Sequence, residues 1–111
     1  MIDQELIDKI IKFRDDRNWS QYHTPKNLAI SLSLEANELL EIFQWVDSNE
    51  AVQNNKAEIE DELADIIIYS ILMADRMDID IEEVVASKLK KNNLKYPVNK
   101  SYGSNAKYTE L

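Results

Sequence analysis

The chain has 111 residues, 21 of them Asp or Glu and 13 Lys or Arg, for a formal net charge of −8, with one Gly, one His and no Cys. One glycine excludes a Walker loop and a dinucleotide fingerprint, the missing cysteines exclude a disulfide frame, a thiolate zinc site and a cysteine nucleophile, and one histidine excludes a multi-histidine zinc site. The acidic balance argues against a nucleic-acid polymer as partner, since such binding runs on phosphate neutralisation, and the length implies one domain whose modest core would gain from oligomerisation.

The first residues, Met-Ile-Asp-Gln-Glu, lack a basic start and an apolar run, so no signal peptide is expected. The longest apolar stretch, Ile66–Ala74, is too short to span a bilayer and contains Ser70. Together with the absence of cysteine this predicts a cytoplasmic protein without a membrane partner.

Helical periodicity dominates the chain, and alternating polar and apolar runs are missing. A first helix is expected over about Asp3–Arg17, with Asp3 as N-cap and Leu6, Ile7, Ile10, Ile11 and Phe13 at helical spacing. Trp19, Tyr22 and His23 form an aromatic loop, followed by Lys26 and Asn27. The second helix opens on Thr24-Pro25, an N-cap with proline at the first helical position, and runs to about Val46 before the polar stretch Asp47–Asn55. The third, about Asn55–Met77, carries Ile66, Ile67, Ile68, Ile71, Leu72, Met73 and Ala74 nearly all round and should be the most buried element. The fourth begins at Asp80 with Glu83 three residues on and continues to about Tyr96, where Pro97 stops it. The expected architecture is therefore all-α. Four main helices form a bundle within an oligomer, with residues 1–97 as one domain and 98–111 as an extended tail.

Charge divides along the chain. Residues 1–83 hold 7 basic and 20 acidic side chains, a balance of −13, whereas residues 84–111 hold six lysines against Glu110, a balance of +5. Taken alone this is a solvated surface. The placement of particular carboxylates says more. On the second helix Leu28, Leu32, Leu39, Phe43 and Val46 share an arc, and Glu35 projects into it. A glutamate on an apolar face must be paired, protonated or bound to metal, because burying a bare charge is costly. Glu38 lies at the edge of that arc near Trp45, and Glu41 beyond it. On the third helix Glu62 and Asp65 are neighbours three apart, and Tyr69 continues their face.

Either pair alone reads as helix solubility or a salt bridge. Both together, with Glu35 on an apolar face, predict a divalent-metal site. Four converging carboxylates repel one another, and an all-oxygen set suits Mg²⁺ or Mn²⁺. Trp19, His23 and Trp45 can stack on or contact a nucleobase, although packing explains any one aromatic equally well. Lys88, Asn92 and Lys95 share one side of the fourth helix, with Tyr96 next to them. They can meet phosphate or sugar, or simply complement the helix dipole.

Glu35-x-x-Glu38, Glu62-x-x-Asp65 heading Ile66–Ala74, and Lys88-x-x-x-Asn92-x-x-Lys95-Tyr96-Pro97 together resemble the MazG-like nucleoside triphosphate pyrophosphohydrolases. Trp19 to Asn27, Glu35 to Trp45 and the tail from Ser101 to Leu111 are similar to the dCTP pyrophosphatase branch of that family, and the likeness covers roughly residues 10–111. Leu34 stands where the wider family has a glutamate, as in that branch, and Asn37 where a small residue is expected.

The resemblance implies Mg²⁺ held by Glu35, Glu38, Glu62 and Asp65, and cleavage between the α and β phosphates to give a nucleoside monophosphate and pyrophosphate. It implies Glu38 or Glu41 as the residue that orients water. Lys88, Asn92, Lys95 and Tyr96 would position phosphate or sugar, and Trp19, His23, Asn27, Trp45 and Tyr69 would shape the base and sugar pocket. It also implies a homo-dimer or homo-tetramer that clears nucleoside triphosphates, dCTP-like pyrimidines first. A helical dimer that binds a nucleotide or protein without turnover is the competing reading.

Overall fold

The structure, a computed structural model, describes residues 2–111, and among these it is helical with no strand. Six α-helices follow in order, α1 (Gln4–Asp16), α2 (Pro25–Phe43), α3 (Ser48–Asn54), α4 (Lys56–Arg76), α5 (Ile81–Lys95) and α6 (Val98–Ser101), with 3₁₀ turns at Trp19–Tyr22 and Tyr108–Glu110. Contacts divide the chain into a unit ending at Asp78 and a unit of Ile79–Leu111.

The helix starts follow side-chain capping. Asp3 accepts from the backbone N–H of Leu6, Thr24 from Asn27, Asp47 from Glu50 and Asp80 from Glu83, each satisfying an amide that has no partner within its helix. Pro25 sits at the first turn of α2, where its missing N–H is not needed.

In the first unit α2 and α4 are the main packed pair, and α1 and α3 also pack on α4. The core is small, as the chain length implies. It consists of Leu28 on α2, Ala51 on α3, and Ile71, Leu72 and Ala74 on α4. α4 does supply most of these residues, but only in its C-terminal half. Leu63, in its N-terminal half, and Ile67, just past its midpoint, stay exposed. Leu28→Ala is expected to cost about 2–5 kcal/mol, the usual range for a buried leucine leaving a cavity. Urea unfolding of the full chain should show the loss as a lowered midpoint.

Two stretches differ from the sequence-based expectation. Asp47–Asn55, expected to be a polar connection, contains α3. The Asp47-Ser-Asn-Glu50 spacing is a capping signal, and burial of Ala51 against the first unit fixes the short helix. The tail after Pro97 is not uniformly extended, since it forms α6 and the Tyr108–Glu110 turn. Gly103 separates them at φ +75°, a conformation that side chains disfavour.

Within the second unit the tail folds back on the end of α5. The Tyr108 ring meets Tyr96 edge-on at 5.9 Å, and Lys95 Nζ lies 4.8 Å from the Tyr108 ring centre.

Candidate active site

α2 and α4 bring their carboxylates together. One oxygen each of Glu35, Glu62 and Asp65 lies within 4.8 Å of the others. All three side chains are half-buried. Oε2 of Glu35 and Oε2 of Glu62 are enclosed with no hydrogen-bond partner. Among the described residues the ion pairs all lie on or from α1: Lys9–Glu5, Lys12–Asp16, and Arg14 with Asp15 and Asp75. None of them neutralises the trio.

The electrostatics follow from that crowding. Burial pushes the Glu35 carboxyl from its ordinary 4.5 up to about 7, and hydrogen bonding with Glu62 and Glu38 and the charges of Glu38 and Asp65 add to the effect. For Glu62 the hydrogen bond with Glu35 favours the ionised form. Loss of water and the charges of Glu38 and Asp65 outweigh it, so Glu62 is also raised. A carboxylate cluster that resists ionisation and encloses two oxygens without hydrogen-bond partners suits a hard divalent cation.

Glu38 is exposed and lies outside the trio, at the edge of the arc where its position on α2 places it. With Glu41, Ile42, Glu58 and Glu62 it lines an open acidic cleft of about 400 Å³. Glu62 thus belongs to both the trio and the cleft.

Asp65 connects the trio to a second cavity of about 350 Å³. Ile10, Phe13, Ile68 and Leu72 give it apolar walls, and Trp19, His23, Tyr69 and Arg14 also line it. Phe13 and Trp19 meet edge-to-face at 5.7 Å, and the Arg17 guanidinium covers the Phe13 ring at 3.7 Å. This corner of the cavity is therefore a braced aromatic wall. Burial, and then the nearby Arg14 charge, lower the His23 pKa, so its imidazole is neutral at pH 7.

Of the residues expected from sequence to surround a base, Trp19, His23 and Tyr69 line this cavity together. Asn27 is engaged in the loop instead. Its side-chain amide donates to the Tyr22 carbonyl at 2.9 Å, tying the aromatic turn to α2. Trp45 is 86% exposed beyond the end of α2 and lines neither cavity. Lys88, Asn92, Lys95 and Tyr96 lie along α5 and its end, in the second unit, where Lys95 and Tyr96 contact Tyr108. Lys9 and Arg14 are lining residues that sequence reasoning missed, and Arg14 is the buried one. The only signal of Arg14 was its place one helical turn after Ile10, on the apolar side of α1.

The MazG-like family model matches residues 30–111. The chain belongs to the MazG-like family. This MazG-like chain is 38% identical over 105 residues to dCTP pyrophosphatase 1 of Mus musculus and 36% identical to that of Homo sapiens. Each alignment takes in 90% of the chain, which spans 62% of the length of those relatives. A solved structure of a pyrophosphatase from Archaeoglobus fulgidus superposes with a TM-score of 0.81 at 48% identity, covering 85% of this chain and 91% of that one. No helix of this MazG-like chain, among its described residues, is long and apolar enough to cross a membrane.

Proposed function

We propose that the protein hydrolyses nucleoside triphosphates, dCTP-like pyrimidines first, to the nucleoside monophosphate and pyrophosphate, in a nucleotide-cleaning role in the cytoplasm. The observation that carries this reading is the trio of Glu35, Glu62 and Asp65, with two enclosed oxygens that no group of the chain satisfies. Family membership and the dCTP pyrophosphatase relatives supply the substrate class.

Glu35, Glu62 and Asp65 would hold Mg²⁺, or Mn²⁺ in its place, with Glu38 next to them. The bound cation would neutralise phosphate charge and lower the pKa of a water. Glu38 and Glu41, on the rim of the acidic cleft, are the groups assigned to accept a proton from the attacking water and hold it in line. The Phe13–Trp19 wall, His23 and Tyr69 would receive the base and sugar, and the Asn27 amide keeps that wall in place. Lys88, Asn92, Lys95 and Tyr96 retain their assignment to phosphate and sugar, and Trp45 its assignment to the base, on the resemblance alone.

The same reading includes a homo-dimer or homo-tetramer. Leu34, Leu40, Leu63 and Leu94 are each at least half exposed, apolar side chains that further copies of the chain would cover.

Incubation of the chain with a panel of deoxynucleoside triphosphates and Mg²⁺, followed by phosphorus NMR, tests the activity. The expected products are monophosphate and pyrophosphate, with no orthophosphate, and dCTP should be the preferred substrate. The mechanism fails if no member of the panel yields pyrophosphate, or if Glu38→Gln leaves the rate unchanged.

A further inference from the structure

The cavity beside Asp65 contains a cation that the proposed chemistry does not use. Arg14 is only 7% exposed, a degree of burial that an arginine reaches only when paired. Two carboxylates fix its guanidinium. Nε donates to Asp15 at 2.9 Å, and Nη1 donates to Asp75, at the end of α4, at 2.7 Å. A guanidinium has five N–H donors in one plane. Two are committed here, which leaves three, including both on Nη2, without a partner among the described residues. Arg14 lines the cavity together with Phe13, Trp19, His23 and Tyr69.

A salt bridge that only joined α1 to α4 would not require this placement. Stability alone is a weak reason to bury such a pair, since its desolvation offsets its attraction. A planar donor group, held rigid by two carboxylates beside an aromatic wall, is instead suited to reading the edge of a flat ring. Arginine recognises two adjacent acceptors on a base edge by paired hydrogen bonds. Among pyrimidines, cytosine offers such a pair in O2 and N3, both acceptors. Uracil and thymine carry a hydrogen on N3, so one arginine donor would face another donor.

We infer that Arg14, oriented by Asp15 and Asp75, is a base-contact residue that selects cytosine over uracil and thymine by donating to O2 and N3. This rests on the proposed function in one respect, that the base occupies the cavity lined by Trp19 and Tyr69. Asp75, which touches only Arg14 in this scheme, is a positioning residue.

Calorimetric titration of the full chain with dCMP and dUMP in Mg²⁺ buffer tests the inference without turnover. The wild-type chain is expected to bind dCMP at least about tenfold more tightly than dUMP, the low end of discrimination by one bidentate contact. Arg14→Lys keeps a cation opposite Asp75 but loses the planar fork, and should bring the two affinities to within about threefold of each other. Equal affinities in the wild-type chain, or undiminished preference in Arg14→Lys, overturn the inference. If Arg14→Lys unfolds, Asp75→Asn, which keeps the guanidinium but loosens its orientation, is expected to narrow the preference in the same way, and an undiminished preference there overturns the inference. Pyrophosphate release with equal dCMP and dUMP affinities would sink this inference and leave the proposed function standing. Arg14-dependent preference without any pyrophosphate release would do the reverse.

Discussion

Glu35→Gln is expected to eliminate pyrophosphate release while raising the melting temperature of the metal-free chain. The two effects have one cause. Glu35 is half-buried among Glu62, Asp65 and Glu38, with an oxygen that no group of the chain satisfies. In the absence of a cation that arrangement is repulsive. Glutamine removes the charge, keeps the shape, and offers an amide N–H to the oxygens of Glu62 and Asp65. The same substitution deletes an anionic ligand from the proposed metal site. Loss of groups that merely support metal ligands costs about 10–100-fold, so loss of a ligand itself should exceed about 100-fold. Thermal melting in chelator and a pyrophosphate-release assay read the two effects on one preparation. A variant that is less stable without metal, or that retains activity, would show that Glu35 is an ordinary structural carboxylate.

The stability of the metal-free wild-type chain should fall between about pH 4.5 and pH 7, and Mg²⁺ should reverse that fall. Glu35 has a folded-state pKa of about 7 against an ordinary 4.5, because burial and its acidic neighbours disfavour ionisation, and Glu62 shifts in the same direction. The folded chain therefore binds more protons than the unfolded chain through this interval. Its contribution to stability is complete below the ordinary pKa and is lost as pH rises through the folded one. A cation at the proposed site would bind the ionised carboxylates, so its stabilising effect should grow with pH. Melting curves at pH 5 and pH 8, with chelator and with millimolar Mg²⁺, give four values. The melting temperature in chelator should be lower at pH 8 than at pH 5, and Mg²⁺ should raise it chiefly at pH 8. Other carboxylates also titrate in this chain, so Glu35→Gln is the reference. Its metal-free curve should depend less on pH than that of the wild type. Identical pH dependence in the two chains would remove Glu35 as the cause.

Much of this site is legible in the sequence. Glu35 among Leu28, Leu32 and Leu39 is a local conflict between charge and pattern, and helical spacing alone reveals it. The caps at Asp3, Thr24 and Asp80 are equally local, because each side chain reaches only its own first turn. The α3 cap at Asp47 was present in the sequence too. A seven-residue helix carries too little periodicity to distinguish it from a polar loop, and burial of Ala51 settles its conformation.

Relations between distant residues were not legible. Spacing predicts two carboxylate pairs on two helices. It does not say that Glu35, Glu62 and Asp65 converge within 4.8 Å with Glu38 exposed beside them on the rim of the open cleft. That depends on how α2 rotates against α4, which the packing of half-buried side chains decides. Arg14 shows the same limit more sharply. In the sequence it is one of 13 basic residues on an amphipathic helix. Its burial, its bond to Asp75 and its place in the cavity exist only once α1 lies on α4. The sequence by itself determined the helices, the acidic body and the residues with a reason to bind metal, since periodicity, capping and charge are properties of neighbours along the chain. The tertiary structure decided which carboxylates converge, which aromatic residues line one cavity and which arginine joins them, because those depend on contacts across helices that no local pattern encodes.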